Sequence, residues 1–413
     1  MKNKSILFIT ILTGVSLYLV LHSHARTKLP TNYGIENPPP LAIPTDRLEE
    51  DSTTIQTQNA PKMQVVFALD CTGSMGGLIK AAKDKIWSIA SGMAQTTPTP
   101  ELSFGFVFYR DRGDAFVTQQ VPLVSDLDLA YERLMVMQAA GGGDGPESVN
   151  QALWESVTQF QWSTDTQVLK LIFLVGDAPP HLDYQNDVHY REACKKARQK
   201  DIFINTIQCG NMRETTPIWK EIAQLGGGEY LQLSQTGSEV VVRSPYDDTI
   251  AMLMRDLDRT RIYYGTTTVR VKHEEKLKAA GEINTSANSE VLAKRAEYNI
   301  KNKSAYMGSN ELVSDIIDNK VKLDTLAIQY LPENMRAMSK EEREAYLKEM
   351  VEIRQQTERK LAVVIKQRSE YAENKTNEIG ERAINNSFSG SVHNVIVNQA
   401  KVKQIKIDAK VKN

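Results

Sequence analysis

The stretch MQVVFALDCTGSMGG, residues 63–77, decides how the rest of this chain is read. Met63 to Leu69 is an unbroken apolar run, the composition of a strand buried on both faces. It ends on a carboxylate, Asp70, followed at alternate positions by two hydroxyls, Thr72 and Ser74. A core gains nothing from that arrangement, since an uncompensated charge next to apolar packing is costly. The three side chains are therefore expected to serve a site at the strand's end. Immediately beyond, Leu78, Ala81, Ala82, Ile86, Ile89 and Met93 recur at helical spacing.

Working outward, strands and helices continue to alternate. LSFGFVFY (102–109) and FVTQQVPLV (116–124) read as strands joined by the turn YRDRGDA, so a hairpin is expected. LDLAYERLMVM (127–137) and PESVNQALWESVTQF (146–160) read as helices, and LKLIFLVG (169–176) as a strongly apolar strand. A helix over 188–199, a strand over 202–209, a helix over 218–226, a short strand over 230–233 and a helix over 247–261 complete the series. The pattern predicts an α/β fold, a doubly wound and mainly parallel sheet covered by helices on both faces. Ligands of such sheets bind beyond the carboxyl ends of the strands. Asp70 lies at that end of the first strand. Asp177, in LVGDAPP, lies at the same end of the 169–176 strand.

Both flanks of this unit differ from it. The chain has 413 residues, 41% of them apolar and 24% charged, with a net charge of −1. Its first two-thirds shows no basic stripe, which argues against nucleic acid. Lys2 and Lys4 precede an apolar stretch, Ile6 to Leu21, and Ser23-His24-Ala25 offers small residues before Arg26. Residues 1–25 are expected to be a signal peptide, with a retained membrane anchor as the alternative. Either places the remainder outside the cytoplasm: periplasmic, surface-bound or secreted. Residues 26–62, rich in Pro, Thr and Gln, read as a linker, and 63–262 as the α/β domain. Cys71, Cys194 and Cys209 are an odd set for an exported chain, so buried free thiols are expected rather than a disulfide framework.

Residues 263–413 read as a mostly helical extension. Ser339 and Glu342 form a capping-box pattern ahead of a stripe made by Tyr346, Met350, Ile353, Thr357, Leu361, Val364 and Ile365. An amphipathic helix or one arm of a helical hairpin is expected, packed on the first domain or on itself, with a partner helix, as in a coiled coil, as the alternative. The lysine-rich tail from Ser391 reads as a solvated terminus, with contact to an anionic surface as the alternative.

Three loops should meet above the sheet: Asp70-x-Thr72-x-Ser74, the segment AAGGGDGPE carrying Asp144, and Asp177. All five side chains are oxygen donors, which suits a hard divalent cation, Mg²⁺ or else Mn²⁺ or Ca²⁺. Asp70-Cys71-Thr72-Gly73-Ser74 resembles the first motif of the von Willebrand factor type A domain, with Thr in place of its first Ser. Asp177 resembles the third motif. Asp144 stands where the second motif usually has Thr, as in a subset with hemicentin-like and secreted bacterial members. The resemblance covers about half the chain. It implies a metal-ion-dependent adhesion site whose metal shell is Asp70, Thr72, Ser74, Asp144 and Asp177. A third Asp should tighten metal binding and weaken the pull on a partner's acidic side chain.

Asp111, Arg112, Asp114 and His181 lie on neighbouring loops and are candidates for the rim of a ligand surface. The Arg-Gly-Asp tripeptide at 112–114 is read first as turn chemistry. Asp187 is expected to cap the helix that follows it, and Glu147 to sit in the first turn of its helix. Thr72 and Ser74 have no His placed to activate them as nucleophiles. The function expected is an exported, non-enzymatic adhesion module that presents Mg²⁺ to an acidic side chain of a partner protein. A membrane contact is expected only through an uncleaved N-terminus. Two alternatives are a Mg²⁺-dependent haloacid-dehalogenase-like phosphatase, which usually has Asp where Thr72 stands, and a helical oligomerisation scaffold.

Overall fold

Alternating side chains on a strand face opposite ways, and here both sets are apolar. In the computed structural model, β1 (Lys62–Asp70) therefore runs through the centre of a six-stranded sheet. The structure describes residues 60–94, 99–143, 145–235, 242–380, 383 and 385–405. The expected signal and nearly all of the expected linker lie outside the described residues.

The other strands are β2 (Glu101–Tyr109), β3 (Thr118–Val124), β4 (Leu169–Gly176), β5 (Ile202–Cys209) and β6 (Gly227–Leu233). Their order is β3-β2-β1-β4-β5-β6, parallel throughout except for β3, which forms the expected hairpin with β2. The doubly wound, mainly parallel α/β architecture is thus present. Pro122 sits in β3, at the sheet edge, where a missing donor is tolerated. β1 and β4 lie side by side and in register, Leu69 against Val175, so Asp70 and Asp177 emerge at the same end of neighbouring strands.

Val66 and Ala68 face one side, where α3 (Val149–Thr158), α4 (Tyr190–Gln199) and α5 (Thr215–Gly226) cover the sheet. Met63, Val65, Phe67 and Leu69 face the other, beneath α1 (Gly76–Ala94) and α2 (Leu127–Val136). α1 inserts Leu78, Ile86, Trp87, Ile89 and Met93 into that core. Each such side chain is worth roughly 1.5–3 kcal/mol when fully buried.

The remaining chain is helical: α6 (Asp247–Arg259), α7 (Thr267–Ser286), α8 (Ser289–Lys301), α9 (Lys303–Met307), α10 (Leu312–Ile317), α11 (Glu333–Arg336), α12 (Lys340–Ile379) and α13 (Phe388–Val402). These helices do not stand apart. Ile283, Leu292 and Tyr298 join the core above α1, and the ring of Trp87 lies 5.6 Å from both Tyr131 and Tyr298. Ser339 and Glu342 make the expected capping box, and α12 continues unbroken for 40 residues. Its inner seam contains the expected stripe, with Thr357 buried and Tyr346, Met350 and Ile365 packed against the cores, and adds charged residues to it. Leu361 and Val364 are buried, but so are Arg354 and Arg368, paired with Glu311 at 3.1 Å and Asp247 at 2.7 Å.

The tail also differs from expectation. Val392, Val395, Ile396 and Ala400 recur at helical spacing and enter the main core, so lysines bordering the segment do not keep it solvated. The three cysteines are buried and unbridged, as expected. Among the described residues no helix is long and apolar enough to cross a membrane.

Candidate functional site

The site begins where β1 stops. Its last residue, Asp70, is fully buried, and the chain turns at once into a short 3₁₀ turn, Gly73–Met75, that leads into α1. Asp70 Oδ1 accepts two hydrogen bonds from Thr72, from the backbone N at 2.9 Å and from Oγ1 at 2.6 Å. The Thr72 hydroxyl also lies 3.3 Å from Ser74 Oγ. The alternate spacing of 70, 72 and 74 thus gathers three oxygen-bearing side chains, with Ser74 at the exposed end. Asp70 Oδ2 is buried without a hydrogen bond of good geometry, and the nearby Asp177 backbone N–H is the smallest of the influences on the carboxyl.

β4 approaches closely from the side. A methyl group at Gly176 would lie 3.0 Å from Asp70 Oδ2 and 2.5 Å from the Tyr109 hydroxyl, so only glycine fits there. Asp177 follows. Its backbone O accepts from Thr215 Oγ1 at 2.9 Å, and Trp219 Nε1 donates to the adjacent Ala178 O at 3.0 Å. Gln235, just after β6, donates from Nε2 to Asp177 Oδ2 at 2.6 Å and to Ser74 O at 3.3 Å. That one carboxamide links the first and third loops. It was not singled out from sequence, because nothing local marks Gln235.

The second loop docks through backbone. Gly73 N donates to Gly141 O at 3.1 Å, and Ala140 N donates to Cys71 O at 3.0 Å. Arg110 clamps the same junction, donating to Cys71 O at 3.0 Å and to Gln138 O at 2.7 Å. Gly141 and Gly142 both have positive φ, 82° and 80°, which side chains rarely adopt. Asp144 lies outside the described residues.

Charge is poorly compensated here. Burial, helped by the nearby Asp177 and opposed by the Thr72 hydrogen bonds, pushes the Asp70 carboxyl up to about 7. Glu147 is also buried, at 4% exposure, with Oε2 unpartnered. Burial and then the charges of Asp70, Asp111, Asp114 and Asp177 push it up to about 9. Glu147 lies before α3, whose N-cap is Ser148, and not in its first turn as expected.

The rim candidates are largely engaged with one another. Asp111 is buried and accepts from Ser148 Oγ and Tyr184 Oη, both at 2.8 Å. His181 is buried too, with Nε2 3.3 Å from Asp111 Oδ2 and Nδ1 2.8 Å from Asp183 Oδ1. These two carry the loop scaffold rather than an exposed rim. Arg112, 38% exposed, pairs with Asp187 and stacks over Tyr184 at 4.0 Å. Asp114 accepts from Gly142 N at 3.1 Å. The Arg-Gly-Asp tripeptide is therefore built into the turn. Asp187 does not cap α4, because His189 does, accepting from Arg191 N at 3.2 Å.

Among the described residues no three His, Cys, Asp or Glu side chains close on one point as direct ligands. What remains is two carboxylates and two hydroxyls on adjoining loops, with one buried carboxylate oxygen unsatisfied. An all-oxygen set of this kind fits a hard cation, which accepts one or two carboxylates and retains water.

Residues 64–244 match a family model described as the von Willebrand factor A domain. An ariadne-like RING finger protein of Acanthamoeba polyphaga mimivirus is 21% identical over 212 residues, 48% of this chain and 20% of that protein. The von Willebrand factor A domain-containing protein 7 of Rattus norvegicus is 34% identical over 122 residues, 29% of this chain and 12% of that protein. The chain spans about a fifth or less of the length of these curated relatives. Among solved structures, proximal thread matrix protein 1 from the mussel byssus aligns at 14% identity and TM-score 0.32, over 43% of this chain and 42% of that one.

Proposed function

We propose that the von Willebrand factor A domain of this chain is a metal-dependent protein-binding module that acts without catalysis outside the cytoplasm. Such domains serve protein interaction in general, and the family match supports that much. The finer reading is that Asp70, Thr72, Ser74 and Asp177, together with Asp144, hold Mg²⁺ directly or through water. The bound cation supplies an electrophilic contact for an acidic side chain of the partner.

One observation carries the reading: Asp70 is fully buried at the mouth of the sheet with Oδ2 unpartnered, beside hydroxyls and a second carboxylate. A buried carboxylate without a counter-charge is unfavourable in the bare protein and becomes favourable once a cation arrives. Thr72 orients Asp70 by two hydrogen bonds, and Gln235 orients Asp177, so the carboxylates are positioned before the ion binds.

The test is capture from envelope extracts on immobilised protein, with Mg²⁺ and with chelator, for wild type and Asp70→Ala. A partner retained only by wild type with Mg²⁺ supports the reading. Partners retained equally in all four conditions would sink it.

A further inference from the structure

Glu147 is held in place from two sides. Its N donates to Pro179 O at 2.9 Å and its O accepts from His181 N at 3.1 Å, so the second loop is tied to the segment after Asp177. On the other side, a methyl group at Gly142 would lie 3.3 Å from Glu147 Oε1 and 3.2 Å from Thr72 Cβ. The Glu147 carboxylate and the Thr72 side chain thus flank one bare stretch of backbone. Thr72 in turn donates to Asp70.

Two carboxylates, each with a buried oxygen that has no hydrogen-bond partner, thus belong to loops that meet around Thr72: Asp70 Oδ1 accepts from its hydroxyl, and Glu147 Oε1 lies across Gly142 from its Cβ and methyl. Leaving a buried acceptor unsatisfied is costly, and placing two of like charge near each other adds repulsion. Structural packing explains neither, because an amide or an apolar side chain would pack there at lower cost. A positive charge between the loops explains both. Glu147, Asp70 and Asp177 do not close on one point as direct ligands among the described residues. A hard cation keeps several of its waters, and a water adds the missing reach.

We propose that Glu147 belongs to the cation site as the acceptor for a metal-bound water on the Thr72 side. This rests on the metal-binding reading above. It assigns Glu147 a positioning role: fixing the water, it sets which face of the ion stays open to a partner's carboxylate.

The test is calorimetric titration of the full, chelator-treated chain with MgCl₂, alongside melting curves with and without Mg²⁺. Glu147→Gln is expected to lose about 10- to 100-fold in Mg²⁺ affinity, the usual effect of removing a carboxylate that positions metal ligands. Its melting temperature without metal should not fall, since the amide matches the carboxyl in size and brings no charge to bury. Wild-type affinity in a folded Glu147→Gln protein would overturn the inference and leave the metal reading intact. Absence of both heat and a melting shift in wild type at millimolar Mg²⁺ would remove the metal reading, and this inference with it. Should Glu147→Gln fail to fold, Glu147→Asp carries the test, because it keeps the charge and withdraws it by one methylene. A weakening of several-fold is then expected, and unchanged affinity overturns the proposal.

Discussion

Arg295 on α8 grips Asp128 on α2 with two hydrogen bonds, Nε to Oδ1 at 2.7 Å and Nη2 to Oδ2 at 2.6 Å, and both residues are buried. Its Nη1 reaches Asp258 Oδ2 on α6 at 2.8 Å, and Tyr306 donates to Asp258 Oδ1 at 2.6 Å. Burial opposes ionisation of Asp258, yet the charges of Arg295 and Arg261 hold its carboxyl below the usual range. One guanidinium thus ties the sheet-covering helix α2 to the helical extension. Arg295→Ala leaves two buried carboxylates short of a cation and is expected to cost about 3–5 kcal/mol. Urea unfolding measures this, and a loss below 1 kcal/mol would show that the pair does not secure the extension.

The extension is expected to be inseparable from the sheet. A chain ended at residue 262 strips α8 and α13 from α1, exposing Trp87 and its neighbours. It should aggregate or melt well below the full chain, as read by light scattering and circular dichroism. A soluble, monomeric fragment that melts at the full-length temperature would refute shared-core stability.

Asp70→Asn should have opposite effects with and without metal. The amide keeps an acceptor for Thr72 while removing a buried charge, so the metal-free variant is expected to melt higher than wild type. On the proposed metal-binding reading the same change also removes a ligand oxygen, so added Mg²⁺ should raise its melting temperature much less. If both proteins respond to Mg²⁺ equally, Asp70 does not bind the ion.

The pH dependence follows from the raised Asp70 carboxyl. The folded value of about 7 exceeds the ordinary 3.8, so between these the folded state holds more protons than the unfolded one. Stability therefore falls as pH rises through this window, by about 4 kcal/mol as an upper bound. The advantage of Asp70→Asn over wild type, measured without metal, should be near zero at pH 4 and full above pH 7. An advantage independent of pH would mean that Asp70 keeps an ordinary ionisation.

Gly176→Ala tests the close approach of β4. The added methyl meets the Tyr109 hydroxyl and Asp70 Oδ2, with overpacking expected to cost about 1–3 kcal/mol. Magnesium affinity should fall as well, because Asp70 must shift. Calorimetry on the folded variant checks this, and unchanged affinity would show that β4 leaves room the contacts do not suggest.

Much was legible locally. Apolar strands without polar alternation require cover on both faces, so the doubly wound sheet follows from composition along β1 and β4. A carboxylate closing such a strand marks the rim, which located Asp70 and Asp177. The Ser339 capping box likewise reads from four adjacent residues. Other features depend on neighbours that sequence spacing does not reveal. Glu147 looked like ordinary helix-start chemistry until the 177–181 loop folded over it. Arg295, Arg354 and Arg368 carry no local sign of burial in the sequence, yet each is buried against carboxylates distant in the chain. Hydrophobic periodicity is a property of one segment, whereas desolvation and charge pairing are set by whatever packs against it. The sequence by itself therefore determined the sheet and which strand ends face the site, while tertiary contact alone decided which charged groups were buried, paired or left without a hydrogen-bond partner.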